Sequence, residues 1–242
     1  MPNLDAHYRA LPELSPYADN KRYELFKEDH KFFIKKIKER TSTNSSMSLH
    51  DAGCGNGELL YQIKKQFPNW KLSGSDFTPK FIETAKKFEG LKNVEFETRD
   101  LMDLKGQYDI VICTSVIQIF PDIEPPLKRL LSICKKDGFL FVDGLFNRFD
   151  VEVRLQYCDN SNPQAQGKWR VDWNQHSQAS ITRLIGKSVK SLEFVEVENN
   201  LDLPINPQMP INRFSFKDAK GRNLQTNATN LLLNKTLMII QK

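Results

Sequence analysis

Acidic residues and glycines crowd the stretch LHDAGCGNGELL, residues 49–60: Asp51, then Gly53, Gly55 and Gly57 two apart, then Glu58. Glycine permits sharp turns and close approach of a ligand, because no Cβ intervenes. Such turns after a strand often hold nucleotides on helix amides. The dinucleotide pattern G-x-G-x-x-G needs a third glycine where the helix meets a pyrophosphate. Here the spacing is G-x-G-x-G, and Glu58 stands where that glycine would be. Asp51 and Glu58 would both repel a pyrophosphate, which disfavours a nicotinamide oxidoreductase. The same acids suit a ligand that carries positive charge.

S-adenosylmethionine (SAM) is such a ligand, with a sulfonium, an ammonium and no phosphate. Asp51 could accept from the ammonium, directly or through water, a bond to a charged group worth about 1.5–3 kcal/mol. Asp76 follows Gly57 by 19 residues and ends a strand, where a carboxylate can take both ribose hydroxyls. Asp100, in ETRDLMDL, could accept from the adenine amine with Leu101 against the ring, and Asp103 is the alternative acid. Phe77 could flank the adenosine from the other side. Plainer roles stand beside these: Asp51 and Asp100 as helix caps, Asp76 as a turn residue, Phe77 as core.

These residues must be placed by the elements around them. Residues 20–40 read as one amphipathic helix, with Tyr23, Phe26, His30, Phe33 and Ile37 on one face. Alternation follows: MSLHDAG strand, GELLYQIKKQF helix, WKLSGSD strand, PKFIETAKKFEG helix, NVEFETRD strand, YDIVICTS strand, IEPPLKRLLSICKKDG helix closed by Gly138, and FLFVDGLF strand. That order predicts a parallel sheet with helices on both faces. Beyond Asn147 the pattern loosens, with a helix near 177–187, a strand SLEFVEVEN, a hairpin turning at Lys220-Gly221, and a last strand KTLMIIQK.

In this order the segments resemble the class I SAM-dependent methyltransferases. HDAGCGNG is similar to their first motif, GSD to their ribose acid and RDL to their adenine acid. YDIVICTSVIQIF is similar to their fourth strand, and LLSICKKDGFLFVDG to their fifth helix-turn-strand. The resemblance covers residues 20–146. It implies an α/β, Rossmann-like, mostly parallel seven-stranded sheet with C-terminal elaborations, and a cofactor pocket lined also by Thr114 and Ser115. The whole chain, 1–242, reads as a single methyltransferase domain: an N-terminal segment and helix (1–46), a SAM-binding core (47–146), and substrate-side loops with the last strands (147–242). A looser likeness to methyltransferases of bacterial polysaccharide and secondary-metabolite pathways implies a sugar or sugar-linked acceptor.

Methyl transfer from a sulfonium is an in-line displacement, so holding the acceptor in line can supply roughly 7–11 kcal/mol. A hydroxyl acceptor also needs a base; a carboxylate needs none. The segments FNRFDVEVRLQY and KWRVDWNQHS mix charged and aromatic side chains, which suits a small polar acceptor. His176 is the preferred base because histidine titrates near neutral pH, although it could equally be a helix-start residue. Arg154, Tyr157 and Trp173 are the substrate-lining candidates. Gln118 sits where small-molecule relatives carry a histidine. The residues after strand four, TSVI, lack the tetrad of enzymes that methylate base amines. Alternatives are an RNA or protein methyltransferase docking through the lysines of 27–40, or a SAM-binding partner subunit without catalysis.

Bulk properties narrow the class further. Lys and Arg number 35 against 30 Asp and Glu, a mild excess of +5, whereas nucleic-acid binders cluster basic residues more densely. Cys54, Cys113, Cys134 and Cys158 form no C-x-x-C pair, so no metal site is expected, and Cys113 and Cys134 read as core fillers. The start lacks a basic head before an apolar run, and no apolar stretch approaches the roughly 20 residues a membrane helix needs. A reducing cytoplasm is the expected location. The sequence leaves the oligomeric state and the acceptor open.

Overall fold

The computed structural model describes residues 20–41, 45–160, 167–171, 173–197, 202–207 and 212–242. A 3-10 turn at Asn20–Glu24 precedes helix α1 (Glu28–Arg40). Strand β1 (Ser48–Ala52) leads into α2 (Glu58–Gln66), β2 (Lys71–Asp76) into α3 (Pro79–Lys87), and β3 (Glu95–Thr98) into β4 (Tyr108–Cys113). Helix α4 (Glu124–Ile133) feeds β5 (Cys134–Gly144). Three short strands follow, β6 (Phe146–Asn147), β7 (Gln156–Tyr157) and β8 (Arg170–Val171). After β9 (His176–Ser177) come α5 (Gln178–Ile185), β10 (Ser191–Glu196), the pair β11 (Phe214–Lys217) and β12 (Asn223–Thr226), and β13 (Thr236–Gln241).

The main sheet has seven strands in the order β10-β13-β5-β4-β1-β2-β3. Strands β1 to β5 pair in parallel, while β13 runs antiparallel between β5 and β10. Strand order reverses at β1 and β4, where open α/β sheets bind ligands beyond their carboxyl ends. Period-two alternation splits the core into two layers. Ile110 and Ile112 pack with Ile37, Leu60 and Ile63 from α1 and α2, and Val111 and Cys113 pack with Leu127, Leu130, Ile181 and Ile185 from α4 and α5. The helices therefore lie on both faces, as the alternation predicts. Cys113 and Cys134 are fully buried filler.

Two elements differ from their sequence reading. The single helix expected over 20–40 is broken before Glu28. Tertiary contacts override the periodicity there: Tyr23 is fully buried, stacks on Phe88 with ring centroids 3.7 Å apart, and donates to the Asn56 carbonyl at 2.6 Å. The helix expected to run to Gly138 ends at Ile133, and β5 begins at once. The left-handed residue of that region is Asp137, at φ 66°, and not Gly138. Gly138 is required for a different reason, since a Cβ there would lie 2.7 Å from the Asp109 carbonyl oxygen. The hairpin is where the sequence puts it, with Gly221 left-handed at φ 75° in the turn between β11 and β12.

Candidate cofactor site and the cavity beside it

All three glycines of the turn after β1 are left-handed, at φ 83° for Gly53, 54° for Gly55 and 85° for Gly57, a region L side chains enter only at a cost. The Gly53 and Cys54 amides both donate to the Ser75 carbonyl, at 2.8 and 2.9 Å, which ties the turn to β2. A Cβ on Gly53 would lie 2.3 Å from Val116, whereas one on Gly55 would meet nothing within 4 Å. The turn thus presents open space at Gly55, the kind of cradle a ligand backbone contact needs.

Asp51 is 1% exposed, and its Oδ1 has no hydrogen-bond partner among the described residues. Burial, reinforced by Asp76 and Asp143, pushes its carboxyl well above the usual carboxylate range. A buried carboxylate without a partner is costly, and a bound cation relieves that cost. Asp76 is oriented by two amides at 2.9 Å: Gly55 donates to Oδ2 and Thr78 to Oδ1. Burial still raises its pKa despite those bonds. Asp100 caps the 3-10 turn Leu101–Asp103, with the Met102 amide donating to Oδ1 at 2.9 Å. The capping role is therefore real, and it uses one carboxylate oxygen. Leu101 is buried, Phe77 is half-buried and Asp103 is exposed.

A cavity of about 370 Å³ opens beside the turn, within the range of small-molecule sites. Its walls include Asp51, Gly53, Gly55, Thr114 and Ser115, which the sequence places together. They also include Arg22, Lys27, Asp29, His30, Asp143, Arg213 and Lys235, which sequence reasoning missed. Asp143 gave a faint signal, a lone acid in the apolar strand FLFVDGLF. The others come from segments up to 213 residues apart, and spacing carries no trace of them.

Glu58 requires a correction. It does not confront the ligand as a bare negative charge: Arg22 and Lys27 both pair with its carboxylate. Burial would raise its pKa, but the Lys27 and Arg22 bonds and charges outweigh burial and hold it low. The pair of cations leaves a positive surplus beside the glycine turn, suited to the carboxylate of a bound amino acid. Asp51, not Glu58, is the acid that favours a cationic ligand.

The acceptor-side candidates lie elsewhere. His176 is 2% exposed, its Nδ1 is 3.2 Å from Glu152, and its pKa is lowered chiefly by burial. Glu152 also accepts from the Ser177 amide at 3.0 Å, at the start of α5. Arg154 is exposed and Tyr157 half-buried in β7. Trp173 lies under the Arg213 guanidinium, 5.4 Å from its ring centroid. None of the four lines the cavity. Gln118 is buried, and its carbonyl accepts from Asn174 Nδ2 at 3.0 Å. Among the described residues no cluster of His, Cys, Asp or Glu could hold a metal, and no helix is long and apolar enough to cross a membrane.

Comparison with known proteins agrees with this geometry. Residues 43–180, more than half of the chain, match the family model for a methyltransferase domain. A malonyl-[acyl-carrier protein] O-methyltransferase of Bacillus anthracis is 30% identical over 181 residues, 74% of this chain and 64% of that protein. A trans-aconitate 2-methyltransferase of Deinococcus radiodurans is 30% identical over 105 residues, 43% of this chain and 40% of that protein. The chain spans 64%, 43% and 41% of the first three curated relatives, all malonyl-[acyl-carrier protein] O-methyltransferases. The fold is shared with the magnesium protoporphyrin IX methyltransferase of Synechocystis PCC 6803 solved with bound S-adenosylhomocysteine (SAH). That likeness has a TM-score of 0.57 at 16% identity and covers 89% of this chain and 82% of that one. The unpartnered Asp51, the oriented Asp76 and the open cradle at Gly55 fit SAM as the cofactor. With its glycine turn and Asp76 at the carboxyl ends of this sheet and a methyltransferase model matching most of its core, the chain belongs to the class I SAM-dependent methyltransferases.

Proposed function

We propose that the chain transfers a methyl group from SAM to a small polar acceptor that carries a carboxylate. The observation that carries this is Asp51, a buried acid without a partner, in a cavity that also holds the cations Arg213 and Lys235. Asp51 would hold the ammonium, Asp76 the ribose hydroxyls, and Asp100 with Leu101 and Phe77 the adenine. Arg22 and Lys27 would meet the methionyl carboxylate. When bound, the cofactor supplies an electrophilic methyl carbon: an acceptor oxygen bonds to it while the electron pair of the broken carbon–sulfur bond stays on sulfur. Two relatives are named for malonyl and aconitate substrates, which are carboxylic acid derivatives, and a carboxylate acceptor needs no proton removed.

A second reading keeps the sugar acceptor, whose hydroxyl would need a base. His30 favours it, because it lines the cavity and its Nδ1 is buried without a partner among the described residues. Burial lowers its pKa, the largest influence on it, so it stands neutral and able to take a proton. His176 would serve this reading only from outside the cavity wall.

Titration calorimetry with SAH tests the cofactor site, and absence of binding in folded protein sinks the proposal. Incubation with labelled SAM and acceptor pools then separates the readings. Methyl esters release methanol in mild alkali, whereas methyl ethers of sugars survive.

A further inference from the structure

Lys235 immediately precedes β13, which runs antiparallel to β5, so its ammonium stands at the carboxyl ends of β4 and β5. It is 8% exposed, and lysine is almost never that buried without a specific reason. Its Nζ donates to Ser115 Oγ at 2.7 Å and to Asp143 at 3.1 Å. Asp29 Oδ2, on α1, lies at 3.8 Å, too far for a hydrogen bond. An ammonium has three donors. Two are used to aim it, and the third has no acceptor in bonding range among the described residues. Asp143 is itself fixed by the Ser115 amide. Arg213, just before β11, lines the same cavity and donates to Gln225 at 3.0 Å. Burial raises the Asp29 carboxyl, but Lys235, His30, Lys27 and Arg213 together bring it below the usual range, so both cations act on one region.

Charge balance points the same way. The cavity wall carries the cations Arg22, Lys27, Arg213 and Lys235 and the acids Asp29, Asp51, Glu58 and Asp143, which cancel when His30 is neutral and Asp51 is ionised by a bound ammonium. SAM adds two positive charges and one negative. A neutral acceptor would leave that surplus charge in a partly enclosed site, where charges are weakly screened. An acceptor with one carboxylate cancels it, and an ester beside SAH leaves the site neutral as well.

From these observations, and resting on the methyl-transfer reading above, we infer that Lys235 and Arg213 form an anion-binding subsite that holds one oxygen of the acceptor carboxylate and leaves the other facing the methyl group. The subsite lies between α1, the start of β13 and the β11–β12 hairpin, and does not include Arg154, Tyr157 or Trp173.

The test measures butyrate and butyramide binding by NMR titration to protein saturated with a SAM analogue that carries an amine in place of the methylsulfonium. Butyrate is expected to bind and butyramide not to. Lys235→Met should weaken butyrate by about tenfold or more, Arg213→Met should weaken it less, and Lys235→Arg should retain it, all with unchanged affinity for SAH. Equal binding of the amide, no butyrate binding to the wild-type complex, or no effect of Lys235→Met and Arg213→Met overturns the inference. Loss of SAH affinity in Lys235→Met overturns it too, by placing the lysine on the cofactor. Because Lys235→Met leaves Asp143 without its cation and could unfold the chain, the half-exposed Arg213 supplies an independent variant. Failure of the wild-type protein to bind SAH would instead remove the methyltransferase reading beneath it.

Discussion

Asp76 and Gly55 are joined across the cofactor turn: the Gly55 amide donates to Asp76 Oδ2 at 2.9 Å. The acid that would hold the ribose thus also sets the glycine turn that would receive the amino-acid end. Asp76→Ala should weaken SAH by about 1.5–3 kcal/mol, roughly 10–150-fold. Asp76→Asn, which keeps one carbonyl oxygen, should lose less. Calorimetry checks both, and unchanged affinity in Asp76→Ala would remove Asp76 from the site.

Gly53 and Gly55 share a left-handed backbone but face different surroundings. Gly53→Ala meets Val116 at 2.3 Å, so strain and overpacking together should cost about 2–5 kcal/mol of folding stability. Gly55→Ala meets no atom and should cost only about 1–2 kcal/mol of backbone strain, yet lose SAH affinity because its methyl group enters the ligand space. Urea unfolding beside SAH titration distinguishes the two. Equal stability loss with SAH affinity retained in Gly55→Ala would contradict the cradle.

Glu58 links the start of α2 to the N-terminal segment through Arg22 and Lys27. Its folded pKa lies below the ordinary value of 4.5. The linked stability is therefore fully present above pH 4.5 and lost as the pH falls through the folded value. Glu58→Gln should destabilise by about 1–3 kcal/mol at neutral pH, and the gap from wild type should close on acidification. A gap that stays constant from neutral pH down to acid would show that the ion pairs contribute nothing.

His176 ties the chain after β5 to the start of α5 through Glu152. His176→Ala should therefore cost about 1–3 kcal/mol of stability and leave SAH affinity intact. Activity per folded molecule should persist. Its collapse in protein that still binds SAH would restore His176 to the chemistry.

The proposed cofactor half of the site was legible because its residues are local. Asp51, the glycines and Asp76 sit at strand ends, and strand ends are marked by apolar runs giving way to small and acidic residues. The rest of the cavity wall was not legible, for the opposite reason. Arg154, Tyr157, Trp173 and His176 have suitable chemistry but do not line the cavity: His176 pairs with Glu152, and Trp173 lies under Arg213, which itself lines the wall. The break before α1 was hidden as well, because burial of Tyr23 against Phe88 is a contact between residues 65 positions apart.

Sequence alone determined the parallel α/β core, the turn after β1 and the identity of the donor, since periodicity, glycine spacing and strand-end acids act over a few residues. Only the tertiary structure decided that Glu58 is neutralised by Arg22 and Lys27, and that Lys235 reaches Asp143 and Ser115. The antiparallel insertion of β13 beside β5 brings residues 92 positions apart into one hydrogen bond. A pattern read along the chain has no term for that distance, whereas burial of both charges in one small volume makes it unavoidable in the fold.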